Sequence, residues 1–405
     1  SPMSRGLGDV YKRQVWGGLS AVAWTDVVQV IILVLGGTLM TGIALTYVTP
    51  GGGIMEGLTH VYNTVPERFS MILDKGEIIT PDGRDAYFDL PGIAVLIGGM
   101  WIANTYYWGF NQYIIQRTFA AKSLNEAQKG IAFAAFLKLI IPVFVVLPGI
   151  IAYVINLDPS TGELVKNLPE GFISQDGKIL NDNAAPWLIK NYIPVGIKGL
   201  ILAALAAAIV SSLASMLNST STIFTMDIYK EYINKNASDK ILVKVGRIVV
   251  IISLLIAMLI APAFGNLGQV FQAIQEYTGV VSPGILAVFI MGLFYKKATN
   301  NAAIWGILLS IPIAMYFKVV PKGWIELFPS FSHGLFIGEI PFLHQMGITF
   351  IITMIVIYII SYLEGNQNDP KGIELSKNLF ETKPSFNIPA FAVLIITAML
   401  YAIFW

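Results

Sequence analysis

The chain has 405 residues, of which 55% are hydrophobic and only 13% charged, and its formal net charge is +1. A balance so close to neutrality gives no strong field to attract nucleic acid. The absence of cysteine excludes disulfides, thiolate metal sites and a cysteine nucleophile. Apolar runs repeatedly reach the roughly 20 residues that cross a lipid bilayer. The sequence therefore predicts an all-α polytopic membrane protein.

The first fourteen residues, SPMSRGLGDVYKRQ, have no apolar middle region and match neither a signal peptide nor a spanning helix. The run DVYKRQ is similar to the translation of an adapter used in sequencing libraries. We therefore expect residues 1–14 to be non-native and the natural chain to begin well upstream. Residues 15–405 are predicted to form a single transmembrane bundle.

Nine segments have the length and hydropathy of membrane spans. Two polar connections between them, 49–89 and 156–194, are rich in turn signals and too short to form independent domains. The predicted spans are 16–48, 90–116, 125–155, 195–225, 241–261, 267–295, 300–318, 341–363 and 386–405.

Basic residues cluster after alternate spans, as Arg117, Lys122 and Lys129 do after the second and Lys296 and Lys297 do after the sixth. Cytoplasmic loops are enriched in lysine and arginine. The alternation predicts a multi-pass protein of the cell (inner) membrane. It also predicts that residue 16 lies on the cytoplasmic side and the C-terminus outside.

Two predicted spans contain residues that a straight helix does not favour: Gly109 in the second, and the run TGVVSPG at 278–284 in the sixth. A break frees backbone polar groups that lipid cannot satisfy, so a broken helix must face protein or a watery cavity. Broken helices near the bilayer middle are typical of transporters.

Polar side chains lie within the predicted spans. The acid Asp26 could hold or pass a cation, or could simply form a structural hydrogen bond. Asn104 and Tyr107 are three residues apart and share a helical face, whereas Trp108 points about 100° away from it. An amide next to an aromatic ring can hold a sugar, although aromatic residues at this depth more often only pack.

Lys138 is about 20 Å from the inner end of its span, at 1.5 Å per residue. It should face the bundle interior, either as a structural ion or hydrogen-bond partner or as a ligand contact. Gln275, just before the predicted break of the sixth span, suggests a cavity wall.

Ser211 and Ser212 lie on the alanine-rich fourth span, with the carbonyl of Ala208 one turn back. Several oxygens of this kind can replace the water around a small hard cation. Serines in membrane helices also bond their own i−4 carbonyl, which remains the alternative.

Five long motifs together resemble the sodium/solute symporter (sodium/glucose cotransporter) family, and most of all its bacterial sodium/galactose members. They are GGLSAVAWTDVVQ, YYWGFNQYIIQRTFAAKS, FLKLIIP, AAAIVSSLASMLNSTSTIFTMDIYKEY and IQEYTGVVSPGILAVF.

The resemblance implies a partial leucine-transporter-like fold built on two inverted five-helix repeats. Residues 16–48 would be the last helix of the first repeat, 90–295 the second repeat and 300–405 peripheral helices. The N-terminal helices of the family are then missing from this chain, together with the parts of the sodium and sugar sites that they supply.

The resemblance also assigns roles to residues. It implies sugar contacts at Asn104, Tyr107, Lys138 and Gln275, with Trp108 beside an inner gate and Phe271 at an outer gate. It implies sodium ligands at Ala208, Ser211 and Ser212, and an ion exit path at Asp26.

The function expected from these residues is sodium-coupled uptake of a galactose- or glucose-type sugar by alternating access. This chain would be the C-terminal portion of the full symporter. Sodium is a transported co-substrate, and no organic cofactor and no catalytic residue are expected. The alternatives are a symporter for an inositol, sialic acid, proline or a carboxylate, the membrane sensor of a signalling receptor, or a membrane enzyme. The oligomeric state is not predicted.

Overall fold

The structure is a computed structural model. It describes residues 27–80, 83–165, 168–169, 171–173, 179–264, 270–319, 340–365, 367–368 and 381–405. The suspected non-native segment 1–14 and the predicted ion-path residue Asp26 lie outside the described residues.

The described residues are almost entirely helical, with only isolated β-bridges in the connections. Two π-helices, Tyr106–Phe110 and Phe224–Ile233, and short 3-10 turns interrupt the α-helices. The α-helices are α1 Val27–Thr46, α2 Ile54–Thr64, α3 Ala94–Ile97, α4 Met100–Thr105, α5 Gln112–Phe119, α6 Leu124–Val145, α7 Leu147–Ile155, α8 Ala184–Tyr192, α9 Val195–Ile223, α10 Asp239–Ile260, α11 Val270–Phe294, α12 Asn300–Val319, α13 Phe342–Leu363 and α14 Pro384–Ile403.

Among the described residues, 8 helical segments are long and apolar enough to cross a membrane. They correspond to eight of the nine predicted spans. The segment predicted as the second span, 90–116, is instead divided into α3, α4, a π-helix and the start of α5. The prediction of a break at Gly109 is confirmed, because Gly109 lies in the π-helix and Asn111 after it is extended.

The second predicted break is wrong. α11 continues as one helix through residues 278–284, with Pro283 inside it. The glycines there serve packing instead, because a Cβ on Gly279 would lie 3.1 Å from the sulfur of Met346 and one on Gly284 would collide with Ser310. Small residues allow helix backbones to approach closely.

The chain divides into two compact units. Unit 1 comprises the described parts of 1–66, 116–122 and 134–268, and unit 2 those of 67–115, 123–133 and 269–405. The single bundle predicted for residues 15–405 stays a prediction.

In unit 1, α1 runs close to α6. A Cβ on Gly37 would lie 2.7 Å from the Cβ of Phe144, and the Thr41 hydroxyl donates hydrogen bonds to the carbonyls of Gly37 and Val143, at 2.9 Å and 3.0 Å. A small apolar cluster at Met40, Ile189, Ile193 and Ile201 brings α1 and α8 to the start of α9. These contacts hold α1 beside the helix that carries the predicted sodium ligands.

In unit 2, α11, α12 and α13 form the densest part of the core. The broken segment packs on it through Ile102, which is 1% exposed, and through Phe110, whose ring stacks on Phe289 at a centroid distance of 4.6 Å. This packing places the π-helix and its tyrosines against the core of unit 2.

Candidate functional site

A cavity of about 350 Å³ in unit 1 contains all three residues predicted to bind sodium. Ala208, Ser211 and Ser212 lie at i, i+3 and i+4 of α9, so they project from one face of that helix. α1 supplies the facing wall. The lining residues are Gln29, Val30, Leu33, Arg117, Ala208, Ser211 and Ser212.

Several residues of the cavity wall carry oxygen atoms of the kind that a small hard cation requires. Ser211 and Ser212 carry hydroxyls and Gln29 carries a side-chain amide oxygen, and all three residues line the cavity. The carbonyl of Ala208 takes part in the α-helical ladder but keeps a second lone pair. This donor set carries no thiolate or imidazole, so it suits an alkali cation better than a transition metal.

A cationic side chain also lines this cavity. Nη2 of Arg117 donates a hydrogen bond of 2.7 Å to Oγ of Ser215, a serine that is only 4% exposed. On the same side, Nδ2 of Asn218 lies 3.5 Å from Oε1 of Gln116. These hydrogen bonds hold the end of α5 against the part of α9 that is just C-terminal to the predicted sodium ligands.

The predicted sugar contacts Asn104 and Tyr107 lie in unit 2, at the junction of α4 and the π-helix. Nδ2 of Asn104 donates a hydrogen bond to the carbonyl of Met100 at 2.9 Å. The side chains of Asn104 and Tyr107 are both half-buried. The hydroxyl of Tyr107 is hydrogen-bonded to that of Tyr113, and its ring meets the Trp108 ring edge-on at 5.5 Å. A π-turn widens the helix, and such turns occur frequently at functional sites.

The remaining predicted site residues are distributed over both units. Gln275 is half-buried on α11 of unit 2, and Phe271 on the first turn of α11 is 72% exposed. Lys138 lies on the part of α6 that belongs to unit 1, and its side chain is exposed. The four predicted sugar contacts are thus not brought together within one unit, and their common site stays a prediction.

Unit 2 holds a second polar cluster that the sequence did not predict as a site. Lys318 on α12 pairs with Glu276 on α11, and both line a small cavity with Arg84 and Gln345. Nearby, Asp89 accepts hydrogen bonds from Gln272, at 3.2 Å, and from Arg84, at 3.0 Å. This cluster fastens the 83–89 connection to the start of α11.

Arg117 was predicted only as a basic residue of a cytoplasmic loop, and its place in the cavity was not predicted. Its spacing from Ser211 along the chain carries no signal, because α5 and α9 meet only in the tertiary structure. Gln29 did carry a signal in the sequence, because it is a polar residue three positions after Asp26 in the predicted first span.

Three comparisons bear on the class of this protein. The sequence pattern of the Sodium:solute symporter family matches residues 10–310. A "Sodium/glucose cotransporter" of Vibrio parahaemolyticus is 52% identical over 96% of this chain and 67% of its own length. A "Sodium/myo-inositol cotransporter 2" of Oryctolagus cuniculus is 35% identical over 77% of this chain and 46% of its own length.

A solved structure is also similar. A Na⁺-coupled sialic acid symporter in a substrate-bound, outward-open state matches with a TM-score of 0.60 and 25% identity, covering 86% of this chain and 63% of that one. The likeness confirms the all-helical, leucine-transporter-like fold class that the sequence predicted.

The fold and the helices define a multi-pass membrane protein of the secondary-transporter class. The chain belongs to the sodium:solute symporter family. It spans two thirds of the length of the Vibrio protein and less than half that of the rabbit protein.

Proposed function

We propose that the full-length gene product takes up a galactose- or glucose-type sugar together with sodium by alternating access. The observation that carries this proposal is the convergence of Ala208, Ser211 and Ser212 on one cavity wall in a chain of this family. The 52% identical relative that is named for sodium and glucose supports the choice of co-substrate and of sugar.

In this proposal sodium binds at the α9 cavity and stabilises an outward-open state in which the sugar site is assembled. Asn104, Lys138 and Gln275 supply polar contacts to the sugar, and Tyr107 stacks on its C–H face. Phe271 gates the outer side and Trp108 the inner side. Sodium leaves towards the cytoplasm past Asp26, and the sugar then follows.

The free energy of the sodium gradient is large enough to drive sugar accumulation. One sodium ion crossing about 100 mV releases ~2.3 kcal/mol, and a tenfold sodium gradient adds ~1.4 kcal/mol. The sum of ~3.7 kcal/mol sustains roughly 500-fold accumulation of a neutral sugar.

No covalent step is needed, so the protein is proposed to be a transporter and not an enzyme. Its partners are sodium, sugar and the lipid of the cell (inner) membrane, with residue 16 on the cytoplasmic side and the C-terminus external.

The test is uptake of labelled galactose into proteoliposomes that contain the full-length gene product. Uptake driven by an inward sodium gradient and abolished by replacing sodium with choline is the expected result. Ser212→Ala should raise the sodium concentration for half-maximal uptake about tenfold, because it removes one ion ligand. Lys138→Ala should mainly raise the sugar concentration for half-maximal uptake.

The main alternative is another small solute, and the myo-inositol transporters among the relatives favour a polyol as the second candidate. Competition by unlabelled glucose, myo-inositol, sialic acid, proline and acetate separates these solutes. A chain that binds sugar but moves none across the vesicle membrane would be a sensor, and the transport proposal would then be wrong.

A further inference from the structure

Arg117 is held about one helical turn from the predicted sodium ligands. Its Nη2 donates to the buried Oγ of Ser215 at 2.7 Å, and Ser215 follows Ser211 by four residues on α9. Four residues of α-helix rise about 6 Å. Arg117 also lines the same cavity as Ser211 and Ser212. A fixed positive charge therefore stands beside a site proposed to bind a positive ion.

Arg117 brings a full positive charge to the cavity, as the guanidinium of an arginine does in proteins. Like charges repel with an energy that falls with distance and with the local dielectric constant. A partly enclosed cavity screens this repulsion less than bulk water does. Replacing Arg117 by a neutral residue removes one positive charge from the cavity, whichever other groups the guanidinium contacts.

We propose that Arg117 sets the sodium affinity of this cavity, weakening sodium binding by electrostatic repulsion and thereby speeding sodium release. This inference rests on the proposed function. A coupled transporter must let its ion dissociate in every cycle, and affinity differences between related sites appear mainly in the dissociation rate. Ser215 is the positioning residue, because its hydroxyl accepts the hydrogen bond that holds the guanidinium beside α9.

The experiment measures sodium half-saturation in two ways on the full-length protein. One readout is the sodium dependence of galactose uptake in proteoliposomes, and the other is the sodium dependence of the melting temperature in detergent without sugar. Arg117→Gln should lower the half-saturating sodium concentration about tenfold in both, which corresponds to about 1.4 kcal/mol. Maximal uptake should fall, because tighter sodium binding slows release.

Three variants separate charge from structure. Arg117→Lys keeps the charge, so its half-saturating sodium concentration should stay within about threefold of the wild-type value. Ser215→Ala removes the hydrogen bond but not the charge. Its half-saturating sodium concentration should therefore also stay within about threefold of the wild-type value, well short of the tenfold shift expected for Arg117→Gln. Lys129→Gln removes an exposed charge that pairs with Glu126 on α6, so the half-saturating sodium concentration should not change.

The proposal is overturned if Arg117→Gln leaves the half-saturating sodium concentration unchanged or raises it. It is equally overturned if Arg117→Lys or Ser215→Ala shifts that value as far as Arg117→Gln does, because geometry and not charge would then be responsible. Arg117→Met serves as a second neutral variant if the glutamine variant does not fold. Wild-type uptake without sodium dependence would refute the proposed function, whereas the melting-temperature titration still tests Arg117 on its own.

Discussion

The Nζ of Lys318 lies 3.4 Å from Oε2 of Glu276, joining the last turn of α12 to the first part of α11. Both side chains are mostly buried, with 19% and 17% of their surface exposed. The same ammonium stands 3.9 Å from the centre of the Tyr277 ring. An ammonium that is both paired and stacked on an aromatic face is well compensated for its burial.

We expect Lys318→Met to lower the stability of unit 2 by about 2 kcal/mol, because it leaves the Glu276 carboxylate mostly buried without this partner. Glu276→Gln should have an effect of similar size. The double variant should cost less than the sum of the two single changes, as measured by melting temperatures in detergent. Lys129→Met, which breaks the exposed pair with Glu126, is the matched control and should change little. Strict additivity of the two changes would show that the pair is not coupled.

Gly284 is expected to tolerate no side chain. A Cβ there would collide with the side chain of Ser310, which is 1% exposed and donates a hydrogen bond to the carbonyl of Ile307 at 2.9 Å. Gly284→Ala should therefore destabilise the protein by about 1 to 3 kcal/mol through overpacking of α11 against α12.

Gly292 provides the control in the same helix, because a Cβ at that position would meet nothing within 4 Å. Gly292→Ala should be neutral or stabilising, since alanine favours the helix by up to about 1 kcal/mol over glycine. Melting temperatures of the two variants check the prediction, and equal losses at both positions would contradict the packing argument.

The ring of Tyr107, rather than its hydroxyl, is expected to matter for sugar binding. The hydroxyl is engaged with that of Tyr113, so the ring face is the part proposed to stack on the sugar. Tyr107→Ala should raise the half-saturating galactose concentration about tenfold, whereas Tyr107→Phe and Tyr113→Phe should have small and similar effects. A large loss confined to Tyr107→Phe would show instead that the hydroxyl contacts the sugar.

Glu364 is expected to make stability depend on acid pH. Hydrogen bonds from the Thr299 hydroxyl and from Nδ2 of Asn301 hold the pKa of Glu364 below its usual value. The folded state therefore binds a proton less readily than the unfolded state does. This stabilisation is fully present above the ordinary glutamate pKa of about 4.3, and it is lost as pH falls through the lower folded value.

Melting temperatures measured from neutral pH downwards should thus fall less steeply below about pH 5 in Glu364→Gln than in wild type. Asn301→Ala, which removes the second of the two donors, should give an intermediate slope. Parallel curves for all three proteins would refute the role assigned to this carboxylate.

Several features followed from local sequence because they depend on near neighbours. The membrane helices were predicted from runs of apolar residues, and α9 and α13 end within a few residues of their predicted ends. The grouping of Ala208, Ser211 and Ser212 was also predictable, since helical periodicity alone places them on one face. Gly109 correctly marked a break, because a glycine weakens the helix locally, and Gly109 lies in the π-helix that precedes the extended residue Asn111.

The run at 278–284 contains similar residues and yet forms continuous helix. Its glycines allow α11 to pack closely against α12 and α13, and a single sequence does not show which neighbour a glycine accommodates. Proline removes one backbone donor, a loss that membrane helices tolerate where neighbouring groups satisfy the freed carbonyl. Local residue preference therefore gave the wrong answer where tertiary contacts decided the backbone.

The sequence by itself determined that this chain crosses a membrane repeatedly, and which polar side chains lie on the apolar helices. Those properties follow from hydropathy and from a helical period of 3.6 residues, which act over one or two turns. Only the tertiary structure decided that Arg117 lies in the cavity of Ser211 and Ser212, and that Lys318 pairs with Glu276. Such contacts join residues that are tens of positions apart in the sequence. They depend on how whole helices pack, which no local pattern encodes.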